Sequence, residues 1–450
     1  MLRIGTPLII SSGALTLMQF CDRLFLARHS AVSIQAALPA GVLSFTFIGI
    51  LAAAAGYAGT IVAHHHGAGQ REAGVRVTVQ GLWLALASLP CLLLLAPLGM
   101  WALKVIGHSP EVMAEERIYF GWMMRGGFLF PLGAVIGGYF TGQGRMRLNT
   151  IANSVGALLN IVLDYIMIFG KFGFPAMGIE GGAIATVISA SVAPLVQLAY
   201  FLREPAVRAL RGHGLWRHDF GGMWRILRFG LPAGLQTMAD VAAFAAFVML
   251  TGRMDAISLA TSNIALSINS LVLAPLWGIG GATAIMTGQH KGMRDAEGAA
   301  RSGWAALEMS WMYIAAVIFV FIAGSDYLFS LFYSDNASFT MQELQGFGFQ
   351  LMLAMAVGVL FDATTVVISG ALRGAGDTRF VMIYTVVMSW GLWIPGEALI
   401  FARGGNILHA WYWMALYFAI LSIGFVIRWR GGRWRNIAVI ETEAPSVRTY

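Results

Sequence analysis

The chain has 450 residues, of which 58% are hydrophobic and only 11% are charged. A soluble domain of this length carries about a quarter charged residues, so the composition excludes an ordinary soluble fold. Apolar runs of about 20 residues recur from end to end, which is the length that crosses a bilayer as a helix. The sequence therefore predicts an all-α, polytopic membrane protein.

Twelve transmembrane helices are predicted along the chain. They cover residues 4–27, 38–62, 79–103, 118–141, 151–170, 181–202, 229–251, 258–287, 304–324, 346–371, 380–402 and 407–428. The loops on one side hold most of the 29 basic residues, and the positive-inside rule then predicts that both termini are cytoplasmic. The net charge of +7 follows from this topology and from anionic lipid, so no nucleic-acid partner is expected.

The longest polar connection divides the chain into two halves that repeat. Gly5-Thr6-Pro7 recurs as Gly230-Leu231-Pro232, and Gly142-Gln143-Gly144 recurs as Gly374-Ala375-Gly376. We expect an N-lobe of six helices (residues 1–202), a cytoplasmic linker (203–228), a C-lobe of six helices (229–428) and a cytoplasmic tail (429–450). Because six is even, the lobes have the same orientation and form two pseudo-symmetric six-helix bundles, an arrangement that transporters use for alternating access.

Four aspartates lie inside predicted membrane helices, two in each lobe: Asp22, Asp164, Asp240 and Asp362. A charged side chain at the centre of a bilayer costs about 2.5–3.5 kcal/mol on insertion scales. Such residues mark ion or proton pathways more often than structural contacts. The four aspartates therefore predict interior sites that bind a cation or a proton.

Asn160 and Asp164 form the sharpest local pattern in the chain. Their spacing of four places the amide and the carboxylate on one face of a helix, and lipid cannot satisfy either group. Joined by Asp22 from the first helix, these oxygens suit Na⁺. The same cluster can instead share protons, because two close carboxylates favour retention of a proton. The structural alternative is a helix–helix hydrogen bond, for which asparagine alone would suffice without a charge.

Asp240 and Asp362 are the corresponding acids of the C-lobe. They can serve as coupling sites or as counter-charges for a cationic cargo. The structural alternative is a pair of salt-bridged acids, but Arg253 and Arg373 lie closer to the membrane edges and are poor partners.

Other polar residues are given structural interpretations. Glu308 and Glu397 lie near the ends of their spans, where a long side chain reaches the interface. The run His64-His65-His66 cannot converge on a metal, since neighbours are 100° apart on a helix, and a solvated polar face at the membrane exit is expected. No ATP-binding or hydrolase motif occurs, so we predict no enzyme activity and no cofactor.

Several of these features, in this order, resemble the MATE family of multidrug and toxic compound extrusion transporters. They are Pro7-Leu8 with Asp22 and Arg28, Gly67-Ala68-Gly69, Asn160 and Asp164 followed by Phe169-Gly170 and Gly178-Ile179, Gly230-Leu231-Pro232, and Gly370-Ala371-Leu372-Arg373-Gly374 with Asp377-Thr378. Acids in both lobes resemble the NorM-like branch rather than the DinF-like branch.

The resemblance implies a V-shaped pair of bundles in a bacterial inner membrane. It implies a secondary active antiporter, monomeric within membrane lipid, that exports cationic amphipathic compounds in exchange for Na⁺ or H⁺. Asp22, Asn160 and Asp164 match the family's N-lobe cation site, and Pro7 matches a first-helix hinge. Asp362 matches an acidic position of the NorM-like branch, whereas Asp240 replaces its usual glutamate. The alternative within the same superfamily is a flippase for a lipid-linked precursor, which usually has cationic residues in its central cavity.

Overall fold

The computed structural model describes residues 2–210, 212, 214–252, 254–332 and 339–440, with side chains from Gly13 onward other than that of Ala256. Over these residues the regular structure is helical, and no strand occurs among them. In chain order the helices are α1 (Leu2–His29), α2 (Ala31–Gly56), α3 (Ala58–Gly67), α4 (Arg71–Ile106), α5 (Pro110–Gly126), α6 (Leu129–Gly142), α7 (Met146–Phe169), α8 (Gly178–Arg203), α9 (Pro205–Leu210), α10 (Phe220–Thr251), α11 (Ala256–Gly292), α12 (Ala296–Ser330), α13 (Met341–Gly374), α14 (Thr378–Met388), α15 (Ile394–Ala402) and α16 (Ile407–Arg430). A π-helical turn (Ser389–Trp393) joins α14 to α15, and a 3₁₀ turn (Arg433–Asn436) follows α16.

The all-α membrane fold is confirmed, because these helices follow the twelve predicted spans. Three of the spans are interrupted, as α2–α3, α5–α6 and α14–α15. In the described residues, ten spans are long and apolar enough to cross a membrane. The α5–α6 span does not reach that length in one piece, since α5 has 17 residues and α6 has 14. The remaining span is α1, whose first side chains are not described.

The two lobes meet through the helices that begin each of them. α2 packs against α10, α3 packs against α11, and α1 also packs against α11. The first span of the N-lobe (α1) therefore contacts the second span of the C-lobe (α11). In the same way, the first span of the C-lobe (α10) contacts the second span of the N-lobe (α2–α3). A two-fold axis between repeated halves generates this exchange of partners. Within the C-lobe, α13 is the central helix and packs against α11, α12 and α16.

We call one end of the molecule the basic end. It holds the loops after α3, α6, α11 and α13, which carry or adjoin Arg71, Arg145, Arg294 and Arg379. Several of the turns here need a glycine or another residue with positive φ: Gly69 has φ 72°, Gly144 has φ 76° and Arg294 has φ 59°. The tight turns bring successive helix ends close together, so this end of the bundle is compact.

The tail after α16 lies across the basic end and joins the lobes. Trp434 is fully buried, stacks on Trp429 at 4.2 Å between ring centroids, and donates from Nε1 to the carbonyl of Trp429 at 2.8 Å. Lys291 at the end of α11 donates to the carbonyl of Arg435 at 2.6 Å. Val439 joins the buried apolar cluster of the N-lobe. The tail therefore holds the two lobes together at this end.

A bidentate ion pair fixes the start of α14 to the end of α16. Arg428 donates from Nε and Nη2 to the carboxylate of Asp377, at 2.7 and 3.2 Å. The Asp377 side chain is 6% exposed and that of Arg428 is 20% exposed. We expect Asp377→Asn to lower the free energy of unfolding by about 2–4 kcal/mol, because it leaves a part-buried guanidinium without its counter-charge. Thermal unfolding in detergent measures the effect.

Asp326→Asn is the control for this substitution, since Asp326 is exposed on α12 and forms no ion pair within the described chain. Equal unfolding temperatures for the two variants would show that the Asp377–Arg428 pair does not stabilise the fold.

Candidate ion and substrate sites

The N-lobe site is formed where α1 packs against α7. Asn160 and Asp164 lie one turn apart on α7 and both are fully buried. With its amide nitrogen turned toward the carboxylates, Asn160 donates to Asp22 Oδ1 at 3.0 Å and to Asp164 Oδ2 at 3.1 Å. The structure therefore brings together the three residues that the sequence predicted. Their roles remain a prediction.

Two further residues border this site and were not recognised in the sequence. Tyr119 on α5 lies close to Thr186 on α8 and within electrostatic range of Asp22 and Asp164. Among the described residues, Asp164 Oδ1 is buried without a hydrogen-bond partner. Tyr119 sits in a span whose apolar pattern is interrupted by charges, so no local motif indicated it. The bare Asp164 oxygen leaves one strong acceptor free for a proton or a cation.

The C-lobe site contains Asp240 on α10 and Asp362 on α13, which lie within electrostatic range of each other. Gln236, one turn before Asp240, donates to Asp240 Oδ2 at 3.5 Å. Asp362 is 9% exposed. The two acids that the sequence assigned to the C-lobe thus lie near each other, although no hydrogen bond joins them in the described chain.

A small cavity of about 20 Å³ adjoins Asp362. Asn269, Met355, Trp411, Met414 and Phe418 are among the residues that line it. The volume is close to that of a single water-sized sphere. Asn269 Oδ1 is buried and no described residue hydrogen-bonds it, so the cavity combines one carboxylate and one amide oxygen with aromatic and thioether side chains.

In the part of the chain that the structure describes, none of the four aspartates forms an ion pair. Arg373 acts electrostatically on Asp240 but makes no ion pair with it within 4 Å in that part of the chain. The expectation that Arg373 is a poor partner for the C-lobe acids stays a prediction. Arg253 lies outside the described residues.

Hydrogen bonds between the lobes close the basic end. Tyr57 donates from its hydroxyl to the carbonyl of Arg373, His64 donates from Nε2 to the carbonyl of Gly374, and Gln289 donates from Nε2 to the carbonyl of Gly142. Each bond is 2.8 Å long. These three hydrogen bonds, which we call the latch, hold the lobes together where α3, α6, α11 and α13 end.

The expected solvated face of the three histidines is wrong for His64 and His65. These side chains are 1% and 5% exposed. The C-lobe covers His64, which bonds the carbonyl of Gly374, whereas His65 bonds Gln70 within its own lobe. The sequence could not show the burial of His64, since it depends on the contact between α3 and α11. The spacing of the three consecutive histidines did not indicate that any of their side chains would be buried.

Glycines allow the backbones of α3 and α11 to touch at the same end. A Cβ on Gly67 would lie 1.9 Å from the carbonyl oxygen of Gln289, and one on Gly292 would lie 1.9 Å from that of His64. Any side chain at either position collides with backbone. Small residues permit such close helix contacts in membranes.

The expectation that Glu397 reaches the membrane interface is wrong. The side chain is fully buried and accepts a hydrogen bond from Trp393 Nε1 at 3.0 Å. Glu397 lies one turn after Trp393, so it points along the same helix face into the C-lobe. Glu308, in contrast, is exposed.

The predicted hinge at Pro7 lies within α1, which continues through this position without interruption. Its side chain falls outside the described residues, so the hinge stays a prediction.

Two lobes of six membrane spans each, joined at one end and with interior acids that form no ion pair among the described residues, have the architecture of a membrane transporter. A family model described as MatE matches residues 7–166 and 232–399. The chain belongs to this family. Its members are transporters, which confirms both the sequence resemblance and the prediction that the chain is not an enzyme.

Curated relatives carry the name probable multidrug resistance protein NorM. The protein from Pseudomonas putida is 29% identical over 99% of this chain and 97% of its own length. The protein from Thermotoga maritima is 30% identical, over 88% of this chain and 84% of its own. These relatives support a role in multidrug efflux.

Solved structures share the fold. A crystal structure of a mutant MATE protein has a TM-score of 0.84 and 21% identity, and covers 96% of this chain and 94% of its own. A second, described as the outward-facing conformation of a multidrug resistance MATE transporter, has a TM-score of 0.83 and 24% identity over 98% of this chain and 96% of its own.

Proposed function

We propose that the protein is a secondary active antiporter that exports cationic amphipathic compounds from the bacterial cytoplasm in exchange for Na⁺ or H⁺. The observation that carries this proposal is the group of Asp22, Asn160 and Asp164, in which Asn160 and Asp164 are fully buried, Asp22 is half-buried, and neither carboxylate forms an ion pair with a basic residue of the described chain. Two such carboxylates need a proton or a cation to be stable away from water. Transport follows when the site is filled on one side of the membrane and emptied on the other.

The amide of Asn160 can serve both states of the site. With nitrogen inward, it satisfies the two carboxylates by donating to each. Rotation of the amide by half a turn presents its oxygen instead, which adds a third hard oxygen ligand of the kind that Na⁺ accepts. A proton shared between the carboxylates requires no such rotation.

The basic end is proposed to face the cytoplasm, because loops rich in arginine and lysine stay on that side. Both termini are then cytoplasmic. In this orientation the hydrogen bonds of Tyr57, His64 and Gln289 close the cytoplasmic side, as an outward-facing state requires. Return to the inward-facing state breaks these bonds and separates α3 from α11.

The cargo is proposed to bind near the C-lobe acids. Asp240 and Asp362 supply negative charge, while Trp411 and Phe418 offer aromatic faces that attract organic cations. Met355 and Met414 are adaptable and suit ligands of varied shape. The small cavity beside Asp362 must widen to admit such a ligand. Unpaired acids, rather than a cationic cavity, favour this cargo over the lipid pyrophosphate of a flippase.

Transport by purified protein in proteoliposomes tests the function. Ethidium efflux is followed under a sodium gradient alone and under a pH gradient alone, with empty vesicles as the control. We expect one of the gradients to drive ethidium against its own concentration difference. Failure of both gradients, or equal movement of ethidium without any gradient, would refute ion-coupled export. Movement of a fluorescent lipid instead would identify a flippase.

A further inference from the structure

Glu397 carries a fully buried carboxyl group for which the exchange described above has no role. Its Oε1 accepts from Trp393 Nε1 at 3.0 Å, whereas Oε2 is buried and has no hydrogen-bond partner in the described part of the chain. A buried polar group without a partner costs about 1–3 kcal/mol, and a buried charge costs more. The neutral, protonated form of Glu397 avoids the larger penalty.

No positive charge compensates Glu397 among the described residues. The titratable or charged side chains on α15 and on the helices packed against it, α10 and α16, include Asp240 on α10, His409, Tyr412, Tyr417 and Arg428 on α16, and Arg403 at the end of α15. None of these side chains forms a hydrogen bond or an ion pair with Glu397 in that part of the chain. Arg403 is exposed, and Arg428 is engaged by Asp377 at the opposite end of the helix.

The helix around Glu397 is irregular. Pro395 lacks a backbone N–H and cannot continue the regular hydrogen-bond ladder. The preceding turn, Ser389–Trp393, is a π-helix, in which Ile394 N donates to Ser389 O. Such wide turns occur frequently at functional sites. The backbone at this level can therefore change its hydrogen-bond register more easily than a regular helix.

Aromatic rings connect Glu397 with the other acids of the C-lobe. The ring of Trp393 stacks on Tyr417, with centroids 5.1 Å apart and planes 16° apart. Tyr417 is within electrostatic range of both Asp240 and Asp362. A movement of Trp393 that follows a change at Glu397 would thus displace the Tyr417 ring, which lies near Asp240 and Asp362.

A route for protons from the outer side is short. Glu397 lies five residues before the end of α15, which is about 8 Å along the helix. A groove of about 610 Å³ opens at that end and is lined by residues that include Arg403, His409 and Trp413. Trp413 donates from Nε1 to the carbonyl of Trp393 at 3.1 Å and packs against Gly396. One side chain therefore separates the groove from the neighbourhood of Glu397.

We propose that Glu397 is a third ion-coupling acid, a proton site of the C-lobe. In the conformation latched at the basic end, its carboxylate takes a proton from water in the outer groove and forms one O–H bond. The O–H bond breaks and the proton returns to water when the α14–α15 helix rearranges during the cycle. The uptake and release of this proton during transport depends on the proposed antiport. The protonation of Glu397 in the present conformation does not depend on it.

Infrared spectroscopy of the purified protein tests the proton directly. The spectrum of Glu397→Gln is subtracted from that of the wild type at neutral pH without cargo. We expect the wild type to have one additional carbonyl band of a protonated carboxylic acid. A difference in carboxylate bands instead would show that Glu397 is ionised, and would overturn the proposal. Neither result depends on transport activity.

Ethidium efflux in proteoliposomes tests the coupling role. Glutamine keeps the oxygen that accepts from Trp393, so a purely structural contact survives Glu397→Gln. We expect ethidium binding at the wild-type level and ion-driven efflux reduced by about tenfold, with Glu308→Gln unchanged as the control. Wild-type efflux by Glu397→Gln would overturn the coupling role. If the wild-type protein itself shows no ion-driven efflux, the proposed antiport fails, and the infrared result still decides the proton site.

Discussion

Asp164→Asn is expected to reduce ion-coupled ethidium efflux by at least about tenfold, and Asp22→Asn is expected to do the same. Asparagine has the shape of aspartate and keeps a hydrogen-bonding side chain, but it cannot carry the charge that an ion neutralises. A ligand shifts two conformations only by its different affinity for them. Loss of the carboxylate charge removes the difference in ion affinity between the two conformations. The coupling free energy, typically about 1–3 kcal/mol for linked sites, is then lost as well.

Efflux from cells that express each variant at matched levels measures this effect. Glu308→Gln is the matched control, because it also removes one acid from a membrane helix but at an exposed position. Thermal unfolding of the purified variants shows whether they remain folded. Efflux at the wild-type rate in both aspartate variants would remove the N-lobe site from the mechanism.

Gly292→Ala is expected to open the basic end. The new Cβ would lie 1.9 Å from the carbonyl oxygen of His64, so α3 and α11 cannot keep their present contact. Overpacking of this kind costs about 1–3 kcal/mol, which shifts the ratio of the two conformations by about 5–150-fold. The population of the conformation with the closed basic end decreases, and the population of the conformation with α3 and α11 separated increases.

Spin labels at Arg147 on α7 and Arg301 on α12, both exposed, report the distance between lobes at this end. The labels are introduced into a protein that lacks Cys21 and Cys91. Gly346→Ala is the control, because a Cβ there meets nothing within 4 Å. We expect a longer label distance only for Gly292→Ala. The same distance distribution in both variants would show that the glycine contact does not hold the latch.

Much of the N-lobe site could be predicted from sequence because its signal is local. Asn160 and Asp164 are one helical turn apart, and lipid excludes them from the outer face. Asp22, the third residue of the site, could be predicted because a charged residue is rare within an apolar segment. Tyr119 and Thr186 carry no comparable signal, since a tyrosine and a threonine are tolerated in many membrane helices.

The latch and the burial of Glu397 could not be predicted from local pattern. His64 is buried by a helix more than two hundred residues away in the chain, and periodicity within one segment does not contain that contact. Glu397 was assigned to the interface from its distance to the helix end. The π-helical turn before Pro395 changes the direction of the following residues, and the packing of Trp393 then buries the carboxyl group.

The most direct test of the central claim is the reverse of drug efflux. In proteoliposomes without an ion gradient, an imposed ethidium gradient is allowed to run down while an internal dye records pH or sodium. Linkage is reciprocal, so the account predicts that ions move opposite to the drug in wild-type vesicles and that Asp164→Asn abolishes this movement. Ethidium that crosses through the wild-type protein without any opposing movement of protons or sodium would contradict the account.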